Sequence, residues 1–193
     1  MPKIFKPIFK RSEQGYTLIE LLVVITMIGI MSAVVFISSR NSPKTLTLDR
    51  TAQKISQDIG QARGMAMGGK QVACNVGGPV NGYGVFFDIA ETSHYLIYAN
   101  CDADKKYSPS NDTQVGDLLS LEKDISLSSL KLGPSGSIQN KMSIFFLPPD
   151  PTVYVSSDSA TFERATSSIT VSVDGVAQDK VLEIKGSGIV NVR

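Results

Sequence analysis

Residues 16–37 read YTLIELLVVITMIGIMSAVVFI, and this apolar run decides how the N-terminal part of the chain folds. Glu20 is the only charged side chain within it. As a helix, about 22 residues would span about 33 Å, which is enough to cross the hydrocarbon core of a bilayer. The alternative is a buried core helix, although core helices in small domains seldom run this long without a polar face. We therefore expect a transmembrane helix over residues 16–38.

The residues before the run are basic and predict its orientation. Four side chains carry positive charge there: Lys3, Lys6, Lys10 and Arg11. Basic residues on one flank of a membrane helix predict that this flank stays cytoplasmic. An ordinary secretory signal is excluded, because the apolar region is too long and the small residue Gly15 precedes it. Cleavage after Gly15 would leave the apolar helix on the mature protein.

Glu20 is chemically unusual at the head of such a helix. An unpaired carboxylate in the membrane costs several kcal/mol, so an acid at this position predicts a functional site. Cleavage after Gly15 would give Tyr16 a charged α-amino group. On a neighbouring copy of the helix, that amine could neutralise Glu20 and set the stagger between subunits.

The segment GYTLIELLVV at residues 15–24 resembles the class III signal of type IV pilins and of the pseudopilins of type II secretion. The resemblance implies a short leader at residues 1–15, which the membrane-bound prepilin peptidase cleaves after Gly15. It also implies N-methylation of Tyr16, where the family usually has Phe, and a role for Glu20 in assembly. The alternative is a plain signal-anchor that happens to contain Glu20.

A second helical segment is predicted beyond the apolar run. Pro43 predicts an interruption just before it. Six apolar residues then recur at steps of three and four: Leu48, Ala52, Ile55, Ile59, Ala62 and Ala66. They predict an amphipathic helix within residues 39–69 that packs against a sheet and ends at a pair of glycines. The segment QARGMAMGGK at residues 61–70 also resembles the FimT/H-type pseudopilin pattern.

The remaining residues, 70–193, are predicted to form a β-rich domain. Nine short segments are rich in β-branched and aromatic residues and are separated by turn-forming residues. They are residues 83–89, 94–100, 117–122, 125–132, 141–147, 152–157, 168–173, 181–186 and 189–193. Their connections are too short for crossover helices, so we expect antiparallel sheets. The predicted fold class is α+β, with a long, partly transmembrane N-terminal helix packed on an antiparallel β-sheet domain, as in pilins.

Cys74 and Cys101 are the only cysteines. If the domain is exported, they form the only internal disulfide available to it, and the bond would contribute roughly 3–4 kcal/mol in the chain-entropy model. The alternative is two separate thiols.

An acid-rich loop follows the second cysteine and contains Asp102, Asp104 and Asp112. Alternating carboxylates can collect a calcium ion, but Lys106 stands where a third alternating ligand would belong, and the loop has no glycine at a sharp turn. We expect a solvated polar loop without metal or other cofactor, with calcium as the weaker alternative.

The sequence offers no catalytic motif. Residues 64–70 have the spacing of a phosphate-binding loop, but Gln71 replaces the required Ser or Thr and the segment follows a helix. His94 is the sole histidine and has no nucleophile motif beside it. The formal net charge of +1 argues against nucleic-acid binding through a basic field. We expect neither an enzyme nor a nucleic-acid partner.

The expected function is a structural subunit, major or minor, of a type IV pilus-like filament. The protein would cross the bacterial inner membrane once, with its leader in the cytoplasm, and then enter an extracellular or periplasmic filament. The resemblance implies three kinds of partner: other pilin or pseudopilin subunits bound through the N-terminal helix, the prepilin peptidase, and an inner-membrane assembly platform. Two alternatives stay open, an H-like pseudopilin of a type II protein secretion system and a membrane-anchored binding protein that does not polymerise.

Overall fold

A computed structural model describes residues 16–38, 42–133, 136–149, 152–158 and 161–193 of the chain. The expected leader at residues 1–15 lies outside the described residues. The chain divides into two compact units, Met1–Arg40 and Asn41–Arg193. In the described residues the first unit holds one helix, and the second holds a helix and two sheets.

The helix of the first unit, α1, spans Leu18–Ser38 and contains 21 residues. Thr17 caps its start, since its carbonyl oxygen accepts hydrogen bonds from the N–H groups of Glu20 and Leu21 at 3.1 and 3.2 Å. The Thr17 hydroxyl also accepts from the Glu20 N–H at 3.3 Å, as N-cap threonines do. Every described side chain from residue 16 to residue 33 is exposed. Over the part of the chain that the structure describes, no helix meets the combined length and hydropathy required of a membrane span.

The helix of the second unit, α2, spans Ser42–Met67. Pro43 lies in its first turn, where a missing N–H costs no intrahelical hydrogen bond. The helix ends in a Schellman motif: Gly69 has a φ of +59° and donates to Ala66, while Lys70 donates to Met65, both at 3.2 Å. The six apolar residues of the predicted stripe are all buried. The predicted amphipathic face is therefore confirmed.

Twelve strands follow α2 in the described residues. They are β1 Gly82–Asp88, β2 His94–Asn100, β3 Thr113–Gln114, β4 Leu119–Ser120, β5 Ile125–Leu132, β6 Ser137–Gln139, β7 Lys141–Leu147, β8 Thr152–Ser156, β9 Thr161–Glu163, β10 Ser167–Val173, β11 Asp179–Ile184 and β12 Val190–Val192. A single 3-10 turn, Ile89–Glu91, links β1 to β2.

The strands form two sheets, and every pairing is antiparallel. The seven-stranded sheet has the order β3-β2-β1-β7-β8-β9, with β4 also paired to β2. The five-stranded sheet has the order β12-β11-β10-β5-β6. Because two helices precede a purely antiparallel β region, the predicted α+β class is confirmed.

One cluster of buried apolar side chains joins α2 to both sheets. Ile55 and Ile59 of α2 share it with Phe87 of the seven-stranded sheet and with Ile169 and Leu182 of the five-stranded sheet. Full burial of one such side chain contributes about 1.5–3 kcal/mol, so the helix stripe is a main source of stability in this unit.

A second, smaller cluster lies on the opposite face of the seven-stranded sheet, because successive side chains of a strand alternate between faces. This outer aromatic cluster consists of Leu96, Tyr98 and Phe145 with the partly buried Phe86, Tyr107, Leu147 and Tyr154. Gly84 of β1 makes room for it, since an added Cβ there would lie 2.6 Å from the ring of Tyr98.

Candidate functional site

The head of α1 carries the residues that the sequence marks for processing and assembly. Tyr16 lies two residues before the helix and is 83% exposed. Glu20 lies in the first turn, where a negative charge is favoured by the partial positive charge of the helix N-terminus. Among the described residues, the Glu20 carboxylate has no hydrogen bond or ion pair. Gly15, the expected cleavage residue, lies outside the described residues.

The surface around Glu20 is apolar. Tyr16, Leu21, Val24 and Ile25 border a shallow depression together with the carboxylate. A helix that is apolar on every side is stable only in a lipid or protein environment that covers it. An unpaired charge at its head is costly wherever the apolar surface is removed from water, so a cationic partner would stabilise it there.

Cys74 and Cys101 form a disulfide bond. Their sequence separation is 27 and their Cα atoms lie 5.9 Å apart. The bond joins the segment between α2 and β1 to the residue that follows β2. The hairpin of β1 and β2 therefore lies within one covalent ring.

The acid-rich loop follows this disulfide directly, and Asp112 is its buried member. One carboxylate oxygen of Asp112 accepts the N–H of Cys101 at 2.9 Å, and the other accepts the N–H of Ser108 at 2.8 Å. Burial disfavours the charged form and raises the pKa of Asp112 to about 6, although these two hydrogen bonds act in the opposite direction.

The three acids of the loop converge. One carboxylate oxygen from each of Asp102, Asp104 and Asp112 lies within 4.8 Å of the others. The Asn100 amide donates to Asp102 at 3.2 Å and to Asp104 at 3.1 Å, while Asn111 donates to Asp102 at 2.8 Å. Burial raises the pKa of Asp102, but the hydrogen bonds from Asn111 and the other donors outweigh it, so that the net shift is downward.

This arrangement brings together the three residues of the calcium alternative without completing a calcium site. Calcium takes six to eight oxygen ligands, whereas the acid oxygens here already accept protein donors. The Asn100 side-chain oxygen accepts from the N–H of Ala103 at 3.0 Å, so its NH₂ group is the part that faces the acids. An N–H group in that position repels a cation. The loop is thus held together by its own hydrogen bonds.

The structure also places His94 and the glycine-rich segment at residues 64–70, neither of which the sequence marked as functional. The Nε2 atom of His94 lies 2.6 Å from the carboxylate of Glu91. The glycine-rich segment at residues 64–70 forms the C-terminal end of α2 and its Schellman motif, as described above.

Sequence reasoning did not single out Phe86, Tyr107 or Asp158, which line a groove on the outer face of the seven-stranded sheet. The available signal was the pair Phe86-Phe87 within one strand. Adjacent aromatic residues in a strand place one ring on each face of the sheet, so the pair indicates apolar surface on both sides.

Comparison with known proteins gives one finding. Residues 10–36 match the family described as the prokaryotic N-terminal methylation motif. This motif is characteristic of prepilin-like proteins, the type IV pilins and pseudopilins. No curated protein and no solved structure gave a significant match to the chain.

Proposed function

We propose that this chain, which carries the N-terminal methylation motif of prepilin-like proteins, is a structural subunit of a type IV pilus-like filament. The observation that carries the proposal is the combination at α1. Its described side chains are exposed and almost entirely apolar, and a single acid, Glu20, lies in its first turn. The matched motif covers the same segment. A helix of this kind suits a subunit that exchanges lipid for neighbouring helices.

Processing comes first in the proposed sequence of events. The prepilin peptidase hydrolyses the peptide bond between Gly15 and Tyr16 and frees the Tyr16 α-amino group, which is then methylated. An amine of this kind is largely protonated at neutral pH. Before assembly, the apolar run anchors the protein in the bacterial inner membrane, with the basic leader in the cytoplasm. The anchoring rests on the sequence of residues 16–37 and on the matched motif.

Assembly then pairs Glu20 with the Tyr16 amine of a neighbouring subunit. Inside a bundle of apolar helices, either charge alone would carry a large desolvation cost. The pair is favourable only at the axial offset that brings the two groups into contact. Glu20 therefore selects the stagger between subunits, while the apolar side chains supply most of the contact area.

The second unit, Asn41–Arg193, would lie outside the cytoplasm. Its disulfide bond supports this location, because disulfides persist in oxidising compartments. Among the described residues no arrangement suggests catalysis, and we propose a structural role for the protein. We also propose that an inner-membrane assembly platform is one of its partners.

An H-like pseudopilin of a type II secretion system is the second candidate. The segment QARGMAMGGK favours it, since this end of α2 resembles the FimT/H-type pattern. Both candidates share the same assembly chemistry. They are separated by deleting the gene, because loss of surface pili indicates the first and loss of protein secretion indicates the second.

Substitution of Glu20 tests the proposal. Glu20→Ala and the exposed control Asp117→Asn are each produced in cells that have their own prepilin peptidase, and sheared filaments are separated from membranes. We expect Glu20→Ala to remain in the membrane and to be absent from filaments, while Asp117→Asn is found in both. Normal incorporation of Glu20→Ala would show that the acid does not direct assembly. A processed wild-type protein that never enters filaments would instead indicate a membrane-anchored binding protein.

A further inference from the structure

The outer aromatic cluster is covered in part by the acid-rich loop. The ring of Tyr107 lies 4.8 Å from the ring of Phe86 and 5.3 Å from that of Tyr98. The N–H of Tyr107 donates to the hydroxyl of Ser143 at 3.1 Å, which holds the loop on the sheet. Tyr107 and Pro109 of this loop line one side of a groove on the sheet face.

The groove has a volume of about 340 Å³. Phe86, Leu96, Tyr107 and Pro109 supply its apolar lining. A smaller hollow adjoins it and shares the rings of Phe86 and Tyr107. This volume falls within the range of sites that hold small ligands or single side chains, and the aromatic lining gives such a group a surface to pack against.

The charges around the groove are unbalanced. Three carboxylates line it, those of Asp88, Glu91 and Asp158, against the ammonium group of Lys141, while Lys106 lines the adjoining hollow. The Lys141 Nζ lies 3.8 Å from Asp88, and Glu91 is paired with His94 when that ring is protonated. Burial raises the pKa of the Tyr107 phenol, and the negative charges of Asp112 and Glu91 raise it further.

The same sheet face already binds a cation nearby. The Lys105 ammonium group lies over the ring of Tyr154, 4.2 Å from its centroid. The Ser156 hydroxyl of β8 donates to the carbonyl oxygen of Lys105 at 2.9 Å and holds this part of the loop on the sheet. The ring of Tyr154 on this face therefore makes a cation–π contact within the protein itself.

We propose that this groove binds an arginine or lysine side chain of a partner polypeptide, with its cationic group among the carboxylates of Asp88, Glu91 and Asp158 and its stem on Phe86 and Tyr107. A basic side chain combines the two features that the groove offers, because its charged end follows an apolar stem. A neutral sugar would pack against the aromatic rings but would leave the excess negative charge of the groove uncompensated. The groove lies wholly within the second unit, so the proposal is independent of filament assembly through α1.

The test uses the full-length, processed protein in a non-ionic detergent without a sugar headgroup. The probe is the tetrapeptide acetyl-Gly-Arg-Gly-Trp-amide, and its counterpart carries citrulline in place of arginine. Citrulline has nearly the same shape without the charge. The protein contains no tryptophan, so fluorescence anisotropy reports on the peptide alone.

We expect the arginine peptide to bind about tenfold more tightly than the citrulline peptide, and we expect added salt to weaken its binding. Asp158→Asn and Phe86→Leu should each reduce the preference for arginine. The control Asp117→Asn removes an exposed acid that does not line the groove, so it should leave the preference unchanged. Circular dichroism establishes that each variant is folded.

Three results would overturn the proposal. The first is equal affinity for the arginine and citrulline peptides on the wild-type protein, which needs no variant to interpret. The second is an equal loss of preference in Asp158→Asn and Asp117→Asn, which would place binding elsewhere. The third is displacement of the arginine peptide by lactose at concentrations that leave ionic strength unchanged, which would identify the groove as a carbohydrate site.

Discussion

The hydroxyl of Tyr95 donates a hydrogen bond to the carboxylate of Asp58 and thereby ties α2 to β2 of the seven-stranded sheet. Tyr95 is almost fully buried, at 2% exposure. Burial raises the pKa of its phenol, and the hydrogen bond and charge of Asp58 raise it further, so the ring stays neutral and donates. A hydrogen bond to a charged acceptor is stronger than one between neutral groups.

Removing this donor should destabilise the second unit. Tyr95→Phe leaves the partly buried Asp58 carboxylate without its partner, and we expect a loss of about 2 kcal/mol in the free energy of unfolding. Denaturant unfolding followed by circular dichroism measures it. Tyr83→Phe is the matched control, because the Tyr83 hydroxyl donates to the neutral carbonyl oxygen of Lys70 at 2.7 Å. A larger loss in Tyr83→Phe than in Tyr95→Phe would contradict the assignment.

Asp112 should make stability depend on pH. Its pKa of about 6 in the folded state exceeds the ordinary value of 3.8, so the fold favours the protonated form. The contribution is fully present below about pH 4 and is lost as pH rises through about 6, amounting to about 3 kcal/mol. We expect the unfolding free energy of the wild type, measured relative to Asp112→Asn, to fall across this interval.

The neighbouring acid supplies the control for that pH dependence. The pKa of Asp102 is lowered, so its contribution is present at higher pH and is lost only as pH falls below the ordinary range. The unfolding free energy of the wild type, measured relative to that of Asp102→Asn, should therefore not decline between about pH 4 and about pH 6. If the unfolding free energies of the wild type and Asp112→Asn change with pH in parallel, the pH dependence does not come from Asp112.

Calcium should leave the melting temperature unchanged at millimolar concentration. The reason is that the Asn100 NH₂ group faces Asp102 and Asp104, and that the Asp112 oxygens accept two backbone N–H groups. Differential scanning calorimetry with calcium, and with magnesium as the control ion, measures the effect. A calcium-specific rise in melting temperature that disappears in Asp104→Asn would establish the loop as a calcium site.

Processing predicts a defined mature N-terminus. In cells with their own prepilin peptidase, intact-mass measurement should give a chain that starts at Tyr16 and carries one added methyl group. Gly15→Leu should block cleavage, because a bulky side chain then occupies the position of the small residue before the scissile bond. A conservative change within the leader, Lys10→Arg, serves as the control and should be cleaved. A wild-type chain that still starts at Met1 would remove the basis of the proposed Glu20 pairing.

The sequence predicted the long elements well because their apolar periods are regular. The α2 stripe repeats over five turns, and strands such as β7 carry enough β-branched and aromatic residues to stand out. The expected strand at residues 117–122 shortens to Leu119–Ser120. The strands β3, β6 and β9 were not predicted, because two or three residues are too few to show a period of two.

The candidate sites depended on contacts that no local pattern contains. The spacing of Asp102, Asp104 and Asp112 suggested that they could converge, but the sequence did not show that Asp112 would be buried and would accept the N–H groups of Cys101 and Ser108. The groove beside Tyr107 forms where a loop folds over a distant strand. Such packing between residues far apart in sequence is set by the whole fold, and one sequence shows only the residues that take part.

The disulfide between Cys74 and Cys101 also has a mechanical consequence. A pull along the chain between residues 74 and 101 is carried covalently by the sulfur bridge and bypasses the hairpin of β1 and β2. The bridge has a sequence separation of 27, so it withholds roughly 90 Å of extensible chain, at about 3.3–3.6 Å per residue. A reduced protein could extend by that length when it is pulled. An oxidised one cannot, and this would suit the filament subunit proposed above.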